Sequence, residues 1–184
     1  MRNYMKRISF FAWGVVSLFI SSCAIIENTD RPNLDKITKT NYRKIEGTYN
    51  NASNDSTIKV VNEVTKSLWF QIGYENWRDT NWNNQRVVLK FVTDKKIIAE
   101  LYQNGELINH KTIKGKIKDG YFYRRPFFIV IPFIPLVFGY NTHRYRIGLI
   151  DNNLIVDNKE NFWVFAIAAG NTENKQTTLT YDKK

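Results

Sequence analysis

The sequence predicts a mainly β fold: an antiparallel meander that forms a barrel or a strongly curved sheet, with one or two short helices. Between residues 86 and 181, short segments alternate apolar and polar side chains, as half-buried strands do. Tight turns separate the segments, and Asn104-Gly105 and Asp119-Gly120 are pairs typical of two-residue hairpins. Strands joined by such turns pair antiparallel with their sequence neighbours, which gives a meander.

The N-terminus predicts export and lipidation. Arg2, Lys6 and Arg7 precede an apolar run over residues 8–20, which is the pattern of a secretory signal. The run is shorter than the roughly 20 residues that a membrane-spanning helix needs. The residues that follow, Ile20-Ser21-Ser22-Cys23, resemble the lipobox of bacterial lipoproteins. The other interpretation is an ordinary cleaved signal that leaves a single thiol.

The lipobox resemblance implies that Cys23 begins the mature chain and carries the lipid, because the family joins a diacylglycerol to this cysteine and usually acylates its new amino group. A single acyl chain anchors a protein only marginally, whereas two or three chains hold it stably. Ala24 follows the cysteine, where members retained in the inner membrane often have aspartate. The expected location is therefore the bacterial cell envelope, at the outer membrane, with the leaflet left open.

The chain is expected to divide into a signal peptide over residues 1–22, a lipidated N-terminus and flexible tether over residues 23–43, and one β domain over residues 44–184. The tether prediction rests on polar composition. The net charge is +10, and for an exported protein anionic lipid headgroups are a nearer partner than nucleic acid, which is not expected. The chain has one cysteine, so neither a disulfide nor a zinc-thiolate site is expected.

The domain opens on Gly47-Thr48-Tyr49, where an aromatic ring after a glycine is expected to close one end of a barrel. Residues 61–72 repeat apolar side chains at helical spacing and predict a helix, although residues 68–72 also alternate as a strand would. Trp77 and Trp82 follow in a loop rich in asparagine. They are interpreted either as plugs of a barrel end or as a stacking site for a sugar.

Alternation and turn signals predict the remaining strands. Before the apolar segment, strands are predicted over residues 86–93, 97–103, 106–118 and 121–125. After it, they are predicted over residues 144–150, 154–157, 162–169 and 177–181. In the first of these later strands, Arg144 and Arg146 lie on a basic face opposite an apolar one.

Gly47-Thr48-Tyr49, the hairpins at Asn104-Gly105 and Asp119-Gly120, and the lipobox together resemble small lipocalin-like lipoproteins of the bacterial envelope. The resemblance covers most of residues 44–184. It implies a lipocalin-like barrel or a strongly curved sheet. The helix predicted over residues 61–72 departs from plain lipocalins, whose helix usually comes late in the chain.

The segment from Pro126 to Tyr140 carries no charge, and its prolines at 126, 132 and 135 exclude a regular helix. Three interpretations stay open: two buried strands joined near Pro132 and Pro135, a loop that dips into a lipid surface, or a lid or lining of an apolar ligand cavity. In the last two, the contacts would come from Arg124, Arg125, Phe127, Phe128, Phe133, Ile134, Leu136 and Phe138.

Catalytic and metal-binding motifs are not found in the sequence. His110 and His143 have no second metal ligand at a suitable spacing, and both are expected at the surface. No enzyme, cofactor or metal site is therefore predicted. The expected function is that of a membrane-anchored lipoprotein that binds an apolar ligand or the lipid surface. The alternative is a non-enzymatic scaffold whose fully packed barrel contacts an envelope protein.

Overall fold

The computed structural model describes residue 26 and residues 31–54, 66–73, 84–133, 137–166 and 169–184. Within them the fold is mainly β, as the sequence predicts, with a 3-10 helix Tyr42–Ile45 and one α-helix, α1, Leu68–Gly73. The strands are β1 Gly47–Asn50, β2 Gln85–Thr93, β3 Lys96–Gln103, β4 Glu106–Lys118, β5 Tyr121–Arg124, β6 Phe127–Phe133, β7 Val137–Ile150, β8 Asn153–Ala166 and β9 Ala169–Tyr181.

The strands form one antiparallel meander in the order β1-β2-β3-β4-β5-β7-β8-β9, and β6 pairs with the part of β7 beyond β5. No continuous strand pair closes the sheet within the described residues, but its two ends touch. The amide of Asn50 donates to the carbonyl of Asp182 at 3.0 Å, and the amide of Lys184 donates to the carbonyl of Thr48 at 2.9 Å. The sheet is therefore strongly curved, and its first strand contacts the residues that follow its last strand.

Left-handed backbone conformations form the tight turns. The φ angle is 52° at Asn104 and 87° at Gly105, and it is 51° at Asp119 and 82° at Gly120. Positive φ at both central residues is the hairpin geometry that Asn-Gly and Asp-Gly favour. Both predicted hairpins are therefore confirmed.

The last three strands are longer than the apolar pattern predicts. Separate strands are predicted over residues 154–157 and 162–169, but β8 continues from Asn153 to Ala166. In the same way, β7 begins at Val137 and β9 at Ala169. Polar residues interrupt the apolar alternation without interrupting the strand, because main-chain bonds to paired neighbours hold the ladder.

Helix α1 fills the concave face of the sheet. Trp69 is fully buried, its carbonyl accepts from Lys111 Nζ at 2.9 Å, and the carbonyl of Ile72 accepts from Tyr145 Oη at 2.7 Å. The helix thereby joins β4 to β7. With Leu68 and Trp69 of α1, the core contains Val87, Leu89, Ile97, Leu101, Ile113, Phe122, Ile147, Val156 and Leu179. Of the helix predicted over residues 61–72, residues 68–72 are helical, but Ser67 forms an isolated β-bridge with Ala52, so the helix begins later than predicted. Residues 61–65 lie outside the described part.

Residues 31–45 pack against the sheet, which differs from the tether predicted up to residue 43. The amide of Asp35 donates to the carbonyl of Leu149 at 2.9 Å, and the amide of Ile37 donates to the carbonyl of Gly120 at 3.0 Å. Ile37 and Ile45 are buried. Main-chain bonds and isolated isoleucines hold this segment, so its sequence shows no periodic apolar pattern.

Candidate functional site

The apolar segment of the sequence lies in one half of the sheet. We call this part the half-sheet: β6 with residues 137–144 of β7, 159–166 of β8 and 169–176 of β9. The last main-chain hydrogen bond between β4 and the segment that leads into β6 runs from the amide of Arg125 to the carbonyl of Lys114, at 3.0 Å. In the described part of the chain, β6 then pairs with β7 alone. The half-sheet therefore separates from β4 at Arg125.

Two uncharged hairpin ends lie side by side at the edge of the half-sheet. Phe133 pairs with Val137 beside the β6–β7 connection, and Ala166 pairs with Ala169 beside the β8–β9 connection. The register pairs Val137 with Ala166, which brings the two ends together. The sequence carries no charge over residues 126–140 or 162–169. The two adjacent hairpins therefore form an uncharged edge at the end of the half-sheet where its strands turn.

The residues proposed from sequence as ligand or membrane contacts fall partly in this region. The structure places Phe127, Phe128 and Phe133 on β6 and Phe138 on β7. Ile134 and Leu136 lie outside the described residues, as do Cys23, Trp77 and Trp82. Pro132 fits in β6 because the strand lies at an edge of the sheet, where a missing main-chain donor is tolerated.

Arg124 and Arg125, the two arginines of the predicted contact set, stand at the base of the half-sheet with different surroundings. Arg124 ends β5, and its guanidinium carbon lies 5.3 Å from the ring centroid of Tyr145. Because Tyr145 is buried in the core, Arg124 lies on the concave side. Arg125 is exposed. One arginine therefore packs on an aromatic ring, and the other reaches solvent.

A histidine beside Arg124 is buried, which sequence reasoning did not predict. His143 is 4% exposed, whereas His110 is exposed as expected. Burial lowers the pKa of His143 to about 4, with Glu160 opposing that shift and Arg124 adding to it. The predicted surface position of His143 is wrong. Its neighbours in sequence are polar and indicate exposure, whereas the paired strands bury the side chain.

Amide side chains lie on the same concave face as this histidine. Glu160 pairs with His143 across β7 and β8, and Glu160 Oε1 accepts from Asn141 Nδ2 at 3.1 Å. Asn158 Nδ2 donates to Gln71 Oε1 at 2.8 Å. The Oδ1 atoms of Asn141 and Asn158 are buried and accept no hydrogen bond from the described residues. The base of the half-sheet therefore offers two acceptors to a hydroxyl or ammonium donor.

A cluster of charged side chains lies on the convex face, where residues from three distant parts of the chain meet. Asp157 accepts from Arg31 at 2.8 and 3.0 Å and from Arg146 Nε at 2.7 Å. Arg146 is fully buried, its NH1 donates to Tyr123 Oη at 3.0 Å, and its guanidinium carbon lies 4.1 Å from the ring centroid of Tyr121. Arg146, predicted to lie on a basic face, instead forms a buried ion pair with Asp157. The bond of the same carboxylate to Arg31 holds the N-terminal segment against the sheet.

The described residues contain neither a cluster of His, Cys, Asp and Glu that could hold a metal ion nor a helix long and apolar enough to cross a membrane. The uncharged hairpin ends, the polar base and the convex ion pair are features of the described residues that bear on function. No protein-family model, no curated protein and no solved structure matches this chain.

Proposed function

We propose that this chain is a lipid-anchored, non-enzymatic protein of the bacterial envelope whose half-sheet contacts the lipid surface. The adjacency of the two uncharged hairpin ends, where Val137 pairs with Ala166, carries this proposal. An uncharged edge of this kind is stabilised against lipid, whereas in water it favours aggregation. The lipobox ending at Cys23 supports the anchor, and Ala24 favours the outer membrane.

Charges around the half-sheet support a shallow contact. Arg125 is exposed at its base, and a basic residue near an anionic membrane contributes about 1 kcal/mol. On β9, Glu173 and Lys175 are exposed and form an ion pair at 2.7 Å. With a rise of about 3.3 Å per residue, Glu173 lies about 13 Å along the strand from Ala169. Because these charges stay in water, only the hairpin ends enter the lipid.

The packed interior favours the lipid surface over an enclosed apolar ligand. Leu68, Trp69 and Tyr145 have no exposed surface. A ligand in this part of the sheet would have to displace α1, which three strands hold through hydrogen bonds from Lys111, Tyr145 and Asn158.

The anchor is tested by replacing Cys23 with serine. The variant is expected to leave the membrane fraction or to remain unprocessed, because no sulfur is left to receive the lipid. Fractionated cells and gel mobility report both outcomes, and Ser9→Ala, inside the apolar run of the signal, is the control that keeps the lipobox. Unchanged membrane attachment and mobility of Cys23→Ser would contradict the anchor.

The lipid contact is tested on the unacylated Cys23→Ser protein with vesicles of phosphatidylethanolamine and phosphatidylglycerol. Adding Phe133→Asp and Phe138→Asp is expected to weaken binding at least tenfold, because two carboxylates would enter the apolar region. Val92→Asp combined with Leu107→Asp is the matched control, since it adds the same two charges at exposed side chains of β2 and β4 (47% and 51% exposed), outside the half-sheet.

The outcome of the vesicle experiment also separates the two binding modes. An apolar molecule that co-purifies in a native mass spectrum, without vesicle binding, would favour the ligand form. Absence of both vesicle binding and a co-purifying molecule would contradict the proposal in either form.

The second candidate is a scaffold that contacts an envelope protein. The burial of Leu68, Trp69 and Tyr145 in the described interior favours it, and so does the outer edge of β9. From Ala169 to Thr177, β9 pairs with β8 alone among the residues described, so a partner strand could pair with its free edge. Cross-linking in cells, followed by purification, would identify a defined envelope protein if this candidate is right and the vesicle experiment fails.

A further inference from the structure

An open groove of about 470 Å³ lies across β1, β2 and β3. Its lining includes Arg86 and Val88 of β2. The neighbouring Val87 and Leu89 are fully buried in the core. Because successive side chains of a strand point to opposite faces, the groove lies on the outer face of the sheet. It is therefore separate from the core and from the half-sheet.

The fold leaves most of the polar side chains of this groove without a partner in the described residues. Five of them form no hydrogen bond or ion pair within the described part of the chain, and these are Asn50, Asn84, Arg86, Asn104 and Lys184. The nearby carboxylate of Glu100 is already occupied, because it accepts from Lys90 Nζ at 2.8 Å and from Tyr102 Oη at 3.0 Å. The side chains of the lining thus include two cations, three amides and the hydroxyl groups of Thr48 and Tyr102, but no carboxylate.

These groups match a ligand that combines an anion with several hydroxyl groups. A guanidinium such as that of Arg86 binds carboxylate or phosphate through two parallel hydrogen bonds. Each asparagine amide both donates and accepts, as sugar hydroxyl groups do. The partly buried ring of Tyr102 and the side chain of Val88 add apolar surface for the carbon face of a sugar ring.

We propose that the groove binds an anionic saccharide, a short sugar chain that carries carboxylate or phosphate. Its volume falls in the range of about 300–1,000 Å³ typical of small-molecule sites. A simple inorganic anion would engage the cations and leave the oxygens of the three amides without a donor. A neutral sugar would engage the amides and leave Arg86 and Lys184 without a partner. An acidic sugar engages both sets.

Isothermal titration of the detergent-solubilised wild-type protein tests this inference with four probes. N-acetylmuramic acid carries a carboxylate and glucose 6-phosphate carries a phosphate, so they distinguish the two sources of the negative charge. N-acetylglucosamine is the neutral control, and inorganic phosphate is the control for an ion without a sugar. At least one acidic sugar is expected to bind at least tenfold more tightly than either control.

Variants locate the binding in the groove. Arg86→Gln is expected to weaken acidic sugars at least tenfold, and Asn50→Ala is expected to weaken them without changing the response to phosphate. Lys116→Gln is the matched control, because Lys116 is exposed on β4 and outside the groove. Thermal unfolding checks that each variant folds.

Two results would overturn the inference. Equal binding of phosphate and acidic sugars would mean that the groove holds an adventitious ion only. Absence of acidic-sugar binding, or binding unchanged by Arg86→Gln in a folded variant, would mean that the groove is not a saccharide site. Membrane attachment does not enter either readout, so the result is independent of the proposed lipid contact.

Discussion

Replacing Asp157 with asparagine is expected to lower the free energy of unfolding by about 3–5 kcal/mol, because it leaves a buried cation without its partner. Asp157 is the carboxylate between Arg31 and Arg146, and Arg146 has no exposed surface. An asparagine can accept hydrogen bonds from both arginines but cannot neutralise either charge. Denaturant unfolding of the Cys23→Ser protein, followed by tryptophan fluorescence, measures the loss.

The matched control for Asp157→Asn is Glu100→Gln, which removes the carboxylate of a more exposed ion pair. Glu100 contacts Lys90 at 2.8 Å, and the Lys90 side chain is 56% exposed. Exposed pairs contribute about 0–1 kcal/mol, so this variant is expected to change stability little. Similar losses in the two variants would contradict a dominant role for the buried group.

The same carboxylate gives the stability a pH dependence. Burial alone would raise the pKa of Asp157, but hydrogen bonds from Arg31, Thr178 and Arg146 outweigh it and hold the pKa below its ordinary value. A lowered native pKa adds stability above the ordinary pKa of about 4, and that stability is lost as the pH falls through the native pKa. Below a pH of about 4, the free energy of unfolding of the wild type should therefore decrease as Asp157 becomes protonated. The Asp157→Asn variant lacks this pH dependence.

Replacing Trp69 with alanine is expected to lower the free energy of unfolding by about 3–5 kcal/mol, the usual range for a buried large aromatic residue. Trp69 is fully buried in the concave face, and Lys111 Nζ lies 3.6 Å from its ring centroid. Alanine would remove this contact and leave a cavity between α1 and β4. Thermal or denaturant unfolding measures the loss.

Phe70 is the matched control for Trp69, because it is the next residue of the same short helix and is only partly buried. Phe70→Ala is expected to cost clearly less than Trp69→Ala. A loss below about 1 kcal/mol for Trp69→Ala would contradict a fixed α1. It would also restore the interior as a space that an apolar ligand could occupy.

Local chemistry let the sequence predict much of the meander. The Asn104-Gly105 and Asp119-Gly120 turns follow from residues that tolerate positive φ, and β4 begins and ends at the predicted residues. Tyr49, whose ring is predicted to close one end of a barrel, has no exposed surface, and its Oη donates to the carbonyl of Ile45 at 2.6 Å. Each of these features depends on neighbours in sequence or on a single adjacent strand.

The half-sheet was only partly predictable. Prolines and an unbroken apolar run excluded a helix over residues 126–140 but left strands, a loop and a lid open, because apolar character alone does not fix the pairing partner. The register of β7 on β8 decides that Val137 lies beside Ala166 and that the two uncharged hairpin ends form one edge. Lipidation at Cys23 stays a prediction from the lipobox.

The sequence by itself determined a mainly β chain, its tight hairpins and its most apolar segment, because these depend on side-chain alternation and turn chemistry over a few residues. Only the tertiary structure decided the packing of α1 into the concave face, the burial of His143, and the outer groove. It also decided the pairing of Arg31 with Asp157, 126 residues apart in the sequence. Side chains that lie so far apart in the sequence form no local sequence pattern. They come together only when the curved sheet brings their strands close to one another.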